Sequence, residues 1–355
     1  MSAAPSFRSI RPKTLTGDSS DEATRYEQLP GQSIPHVIRA VAAGLELGAW
    51  AEQNGRRIDT LLAEHGALLF RGFAVEQQTG FPRFAAAVGG GGLDYTQRST
   101  RRTKQAKGVY TSTEYPAPLT IELHSENAFQ RSWPQRIMFH SVVVAETQGA
   151  TPIADNARVY DEIDPGARGE FERRGIRYVR NFGAGLELPW QEAFQTDTRE
   201  EVEEYCRSQD MTWEWKQDDR LRTDQVLPAV IQPPWIGRPV WFNQAHLFHV
   251  TNLAPDIRAA MLESMSEADL PRHAYYGDGG VIPDDHMANV RAAYDRCRTR
   301  FSWATDDVML VDNLRMCHGR EPFTGARKVL VSMSDPADYS MFPVPATPAS
   351  GRQGR

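Results

Sequence analysis

Residues 119–127 read Leu119-Thr120-Ile121-Glu122-Leu123-His124-Ser125-Glu126-Asn127, and far downstream stands Asp307-Val308-Met309-Leu310-Val311-Asp312, followed by Asn313-Leu314-Arg315-Met316-Cys317-His318-Gly319-Arg320. From 119 to 124 apolar and polar positions alternate with a period of two, the pattern of a half-buried strand. On such a strand His124 and Glu126 share a face, about 6.6 Å apart at roughly 3.3 Å per residue. One metal ion can bridge that gap. His318 follows a second strand-like run, Asp307 to Asp312, that ends in a polar turn. Two histidines and a carboxylate, if they converge, make a facial site for a non-haem ferrous ion with coordination positions left open for chemistry. A barrel or sandwich is the kind of fold that lays remote strands alongside one another, so the same reading bears on architecture.

Taken alone the His-x-Glu pair is weak, because nine histidines and 46 acidic residues in 355 supply about one such pair by chance. The rest of the chain has to support it. Ile58–His65 reads as an amphipathic helix stopped by Gly66, with Ala67–Phe70 following as a strand. A helix is expected over Phe81–Val88, halted by the run Gly89–Gly92, which lacks the Lys-Ser/Thr of a phosphate loop and reads as a flexible turn. Further strands are expected at Arg136–Ala145, Thr151–Ala154, Arg177–Phe182, Thr212–Trp215, Val226–Gln232, Pro239–Asn243 and Lys328–Met333. Helices fill Arg199–Ser208, Asp256–Ala268 and Pro283–Arg300. Many short strands with intervening helices, without strict βαβ alternation, argue for a mainly β fold, an antiparallel barrel or sandwich decorated by helices.

Composition narrows the functional classes. The 40 basic and 46 acidic residues are interspersed, giving a net charge of -6 without a run of either sign, so nucleic acid and membrane surfaces are not expected partners. Cys206, Cys297 and Cys317 suit neither a disulfide framework nor a zinc motif, and with no apolar leader or membrane-length segment this points to a cytoplasmic protein. Residues 1–30 read as a flexible arm, 31–343 as one domain, and 344–355 as a disordered tail.

Six ordered blocks together resemble a known family: His65-Gly66-Ala67-Leu68-Leu69-Phe70-Arg71-Gly72-Phe73; His124-Ser125-Glu126-Asn127; Gly149-Ala150-Thr151-Pro152-Ile153-Ala154-Asp155; Trp241-Phe242-Asn243-Gln244; Trp303 with Asp307; and Asp312-Asn313 through His318-Gly319-Arg320 to Phe323-Thr324-Gly325-Ala326-Arg327. The chain resembles the iron(II)/2-oxoglutarate-dependent oxygenases of the taurine dioxygenase type, in the style of members that, like clavaminate synthase, carry Glu in the first motif. The resemblance implies a double-stranded β-helix, or jelly-roll, with iron held by His124, Glu126 and His318. It further implies 2-oxoglutarate as co-substrate, its far carboxylate held by Arg327 and Thr151, with Lys328 beside them as the competing basic residue. A guanidinium can take a carboxylate bidentately, which agrees with that assignment. Halogenating relatives carry a small residue in place of the carboxylate, so Glu126 implies hydroxylation or another outcome of hydrogen abstraction: desaturation, ring closure or epoxidation.

Other residues stay open between two readings. Asn127 is a substrate ligand or a strand-end amide; Arg320 binds an anionic substrate or braces a turn; Asn243 and Gln244 face substrate or pack. His246 and His249 form half of a second metal site or line a loop, and Cys317 is expected to pack. Residues 256–300, with Tyr275-Tyr276-Gly277-Asp278-Gly279-Gly280 inside them, form a lid hinged on glycine or a helical brace. The function expected is oxidation of a small polar molecule, an amino acid or derivative, free or bound to an aminoacyl carrier protein, with the oligomeric state open. The alternatives are a non-catalytic jelly-roll metal-binding module and a zinc hydrolase using the same three ligands.

Overall fold

Strands Ala67–Arg71 and Val308–Asp312 are apolar on both faces, as strands covered on both sides are. They lie side by side and antiparallel in the computed structural model of the chain, which describes residues 23–76, 78–89, 104–106, 109–111, 115–183 and 187–342. Around them runs a sheet in the order Thr24–Glu27, His36–Ala40, Ala67–Arg71, Val308–Asp312, Ser132–Val143, Lys328–Asp338, Val109–Thr111, Lys104–Ala106. Its pairs are antiparallel except that of His36–Ala40 with Ala67–Arg71.

One face of this sheet, carrying Leu68, Phe70, Met138, Leu310 and Leu330, packs on helices Leu47–His65 and Gly80–Gly89 through Ile58, Leu62, Phe81 and Phe84. The other face, carrying Leu69, Ile137, Phe139, Met309, Val311 and Val331, meets Ile153 and Met316. Those two belong to a second sheet, ordered Ile121–His124, Met316–Arg320, Ile153–Asp155. The alternation along each central strand thus sends neighbouring side chains into two different cores. Two facing sheets built from strands remote in sequence form the jelly-roll, with helices on the outside. The first helix starts where the Glu46 side chain accepts the Gly48 and Ala49 N–H groups and ends at Gly66, which turns left-handed at φ 75° while its N–H still bonds Leu62 O.

Several expected elements shift. The strand read over Val226–Gln232 is two, Leu221–Leu227 and Val230–Ile231, because Pro228 has no N–H to give a ladder. Thr24–Glu27, inside the span read as an arm, pairs with His36–Ala40. Residues 256–300 are not helix alone: Arg272–Tyr276 pairs with Ile176–Phe182 in a sheet that also holds Leu221–Leu227 and Thr212–Trp215, between helices Pro255–Ser264 and Asp284–Cys297. Gly277, expected as a hinge, is packed so closely that a Cβ there would run into the Arg174 carbonyl. Residues 1–22, Gly90–Gly92 and the tail from 343 lie outside the described residues. Among the described residues no helix is long and apolar enough to cross a membrane, and the three cysteines are unpaired.

Candidate metal centre

The Ile121–His124 strand stops at its histidine, so Glu126 is not the next residue on a strand face as the alternation predicted. It lies in a turn that Asn127 leaves with a left-handed φ of 58°, a conformation asparagine tolerates. The reason is a side chain distant in sequence. Asn313, fully buried, accepts the Glu126 N–H at 2.7 Å and donates to the Glu126 carbonyl at 3.0 Å and the Pro134 carbonyl at 2.8 Å. These bonds replace the ladder that an extended continuation would have needed.

His318 is likewise no turn residue. It is the middle residue of Met316–Arg320 and sits opposite His124 in the antiparallel register. The ring centroids of the two histidines are 4.6 Å apart, and His318 Nε2 lies 3.9 Å from Glu126 Oε2. One ligand atom from each of His124, Glu126 and His318 lies within 4.8 Å of the other two. Gly319 makes this approach possible: a Cβ there would sit 2.6 Å from the Ile121 carbonyl oxygen, so any side chain would push the strands of His124 and His318 apart. His124 Nδ1 donates to Glu122 O at 2.8 Å, which leaves Nε2 with its lone pair exposed to the site. Two such imidazole nitrogens and one carboxylate are a fitting donor set for a divalent first-row metal.

Four buried polar side chains hold the turn from behind. Besides Asn313, Asn156 Nδ2 donates to Ser125 Oγ at 2.8 Å, Gln244 Nε2 to Ser125 O at 2.7 Å, and His246 Nε2 to Leu123 O at 2.8 Å. Of the residues read as substrate-facing, neither Asn243 nor Gln244 lines the cavity beside His124 and His318. Asn243 instead donates to Ala229 O and accepts Ala245 N–H. His246 and His249 do not share a ligand position: the first bonds Leu123, the second Thr251, with the His273 ring tilted against it. Burial pushes their pKa values down to about 3 and about 4. Cys317 is fully buried with its thiol on the Ala154 carbonyl, and burial pushes that thiol up, away from reactivity.

A cavity is lined by His124 and His318, with Thr151, Arg320 and Arg327 among its polar wall residues and Ile121, Phe139, Val329 and Val331 as the apolar part. Arg327 Nε donates to Gly149 O at 3.1 Å and one terminal nitrogen approaches Thr151 Oγ1 at 3.4 Å, while Trp303 Nε1 donates to that same hydroxyl at 3.0 Å. Arg327 makes no salt bridge to a carboxylate among the described residues. Burial, and then the nearby charge of Arg320, lower its pKa to about 10. A buried guanidinium held this way gains most from a carboxylate arriving from outside. Arg320 gives its two terminal nitrogens to the carbonyls of Tyr115, Pro116 and Leu119, at 2.8, 2.7 and 2.8 Å, bracing that loop against the cavity wall.

Sequence reading did not find Asn313, Asn156 or the role of His246; their partners lie 187, 31 and 123 positions away. Gly319 had a local signal, a glycine directly after a ligand on a strand.

The model of the family described as taurine catabolism dioxygenase TauD, TfdA family matches residues 26–333. The chain is 46% identical over 302 residues to the dapdiamide synthesis protein DdaC of Enterobacter agglomerans, covering 85% of this chain and 92% of that one. It is 30% identical over 328 residues to a clavaminate synthase-like protein of Arabidopsis thaliana, covering 87% and 94%. Among solved structures it shares its fold with PvcB, an Fe, alpha-ketoglutarate dependent oxygenase from an isonitrile synthetic pathway, at a TM-score of 0.51, 16% identity and coverage of 88% and 92%. With a match that spans nearly the whole described chain, the protein belongs to the TauD, TfdA family and is a dioxygenase dependent on iron and 2-oxoglutarate.

Proposed function

We propose that the protein oxidises an unactivated C–H bond of a small polar substrate, an amino acid or an amino-acid derivative, free or tethered to a carrier protein, in the cytoplasm. Hydroxylation is the leading outcome, with desaturation, cyclisation or epoxidation as variants of the same hydrogen abstraction. The observation that carries the reading is one cavity lined by His124 and His318, with Glu126 within ligand reach of both, and lined also by Arg327, which has no acidic partner among the described residues. The substrate class is supported by the 46% identity to a protein of dapdiamide synthesis, and the compartment by three unpaired cysteines.

In this reading His124 through Nε2, His318 and Glu126 hold the iron. Iron bound there supplies the oxidation, coupling conversion of 2-oxoglutarate and O2 into succinate and CO2 to attack on the substrate. Arg327 and Thr151 hold the far carboxylate and so fix the reach of the co-substrate toward the ligands. Phe139, Val329 and Val331 keep the space between dry, which strengthens the ion pair at Arg327. Asn127, half-buried and directly after Glu126, is a candidate substrate contact, although it is not among the residues lining the cavity. Arg320 shapes the wall that the co-substrate passes.

The test is a screen of succinate formation against free amino acids and carrier-loaded amino acids, with His124→Ala and Glu126→Ala as controls. Substrate-stimulated succinate that vanishes in both variants is expected. Stimulation by none of these compounds overturns the substrate class, and succinate that persists in the variants overturns the ligand assignment.

A further inference from the structure

The first ligand strand, Ile121–His124, lies at the edge of its sheet: Met316–Arg320 pairs with it on one side and no strand among the described residues pairs on the other. An edge strand presents unpaired carbonyls and is held laterally on one flank only. Two carbonyls of this strand are taken by side chains. Glu122 O takes the Nδ1 proton of His124, and Leu123 O, one residue before the ligand, takes the Nε2 proton of His246. His246 is itself immobilised. It is 3% exposed, its ring packs tilted against Tyr294 at 4.5 Å and 37°, and its carbonyl accepts a guanidinium N–H of Arg291 at 2.9 Å. Tyr294 and Arg291 both stand on helix Asp284–Cys297, inside the segment read from sequence as a lid or brace.

We propose that His246 is a positioning residue for the ligand His124, and that it ties the iron-bearing edge strand to helix Asp284–Cys297. This rests on the reading of His124, Glu126 and His318 as metal ligands. A neutral imidazole suits such a tie, because it offers one donor, Nε2–H, aimed at Leu123 O, and burial keeps the ring uncharged. A purely apolar side chain of the same bulk would fill the space between Leu123 and Tyr294 yet leave the Leu123 carbonyl without its partner, free to draw the strand out of line.

Cobalt(II) as a probe separates this from simple packing. Its affinity, by equilibrium dialysis, and its visible absorption are measured for wild type, His246→Leu and His246→Gln, each checked for folding by thermal melting. His246→Leu is expected to bind Co(II) about 10-fold more weakly with a changed absorption envelope, the low end of the range for partners bonded directly to metal ligands, because His246 acts through the Leu123 carbonyl. His246→Gln, which keeps a donor near the Nε2 position, is expected to retain affinity within about threefold of wild type. Equal affinity and spectrum in a folded His246→Leu overturn the proposal, as does a folded His246→Gln that binds as weakly as the leucine variant. Should His246→Leu fail to fold, Arg291→Met carries the test: weaker Co(II) binding supports the tie to the helix, and unchanged binding refutes it. A wild type that binds no Co(II) refutes the metal-site reading instead.

Discussion

Asn313→Ala tests how Glu126, the proposed carboxylate ligand, is held in place. The substitution removes three hydrogen bonds of 2.7, 3.0 and 2.8 Å from the Glu126 N–H, the Glu126 carbonyl and the Pro134 carbonyl, where Asn313 itself is 0% exposed. Each buried polar group left unsatisfied costs about 1–3 kcal/mol. Three at the low end, with a water entering the vacated space, give about 3–5 kcal/mol. At roughly 2 °C per kcal/mol for a large domain, the melting temperature should fall by about 6 °C or more. Asn313→Asp keeps the acceptor for Glu126 N–H but turns a carboxylate oxygen toward two carbonyls, so it should melt lower still. Both variants free the Glu126 turn, so Co(II) affinity should drop about 10- to 100-fold together with stability. Calorimetry and dialysis on the same preparations measure the two effects. A melting temperature within about 1 °C of wild type, with unchanged metal affinity, would refute the claim that Asn313 sets the turn.

Arg327→Ala should raise the KM for 2-oxoglutarate about 100-fold, as expected for two charge-assisted bonds totalling about 3 kcal/mol, while Co(II) affinity stays near wild type; an unchanged KM shifts the assignment to Lys328. Gly319→Ala puts a Cβ 2.6 Å from the Ile121 carbonyl and so should separate the ligand strands and weaken Co(II) binding more than stability, read by dialysis against thermal melting. The pH dependence of stability has a definite sign. Burial, aided by the neighbouring His65 or His273 respectively, depresses His36 and His249 to about 4, and burial depresses His246 to about 3, against about 6.5 for a free histidine. The unfolded chain therefore binds more protons between about pH 4 and 6.5, so stability is complete above that window and declines as pH falls through it. Melting temperatures at constant ionic strength should drop from pH 7 to pH 5, and a flat profile contradicts the assignment.

The central strands were legible because their information is local: Ala67–Arg71 and Val308–Asp312 are apolar runs bounded by turn residues, and Gly66 marks the end of its helix. The two histidines and the glutamate were legible as a set, although the reason given for their proximity was incomplete. A strand was expected to run through Glu126, whereas Asn313 ends it at His124, and no pattern around residue 126 reports a side chain 187 positions away. The same holds for Arg272–Tyr276, whose Arg-His-Ala-Tyr-Tyr lacks clear alternation and becomes a strand by pairing with Ile176–Phe182. Tertiary context of this kind overrides local propensity. Thr151 and Arg327 could be named only by resemblance, since a threonine and an arginine 176 positions apart carry no joint signal until the fold brings their polar ends to 3.4 Å. Asn243 and Gln244 show the opposite case: buried amides next to a motif resemble substrate ligands in sequence, yet their donors serve the carbonyls of Ala229 and Ser125.

Anaerobic titration of the protein with Fe(II) and 2-oxoglutarate, followed by visible absorption, tests the central claim most directly. A charge-transfer band should develop only when both are present, vanish in His124→Ala, Glu126→Ala and His318→Ala, and require far more 2-oxoglutarate in Arg327→Ala. Absence of the band in metal-loaded wild type, or its survival in His318→Ala, would contradict the placement of iron and co-substrate in this cavity.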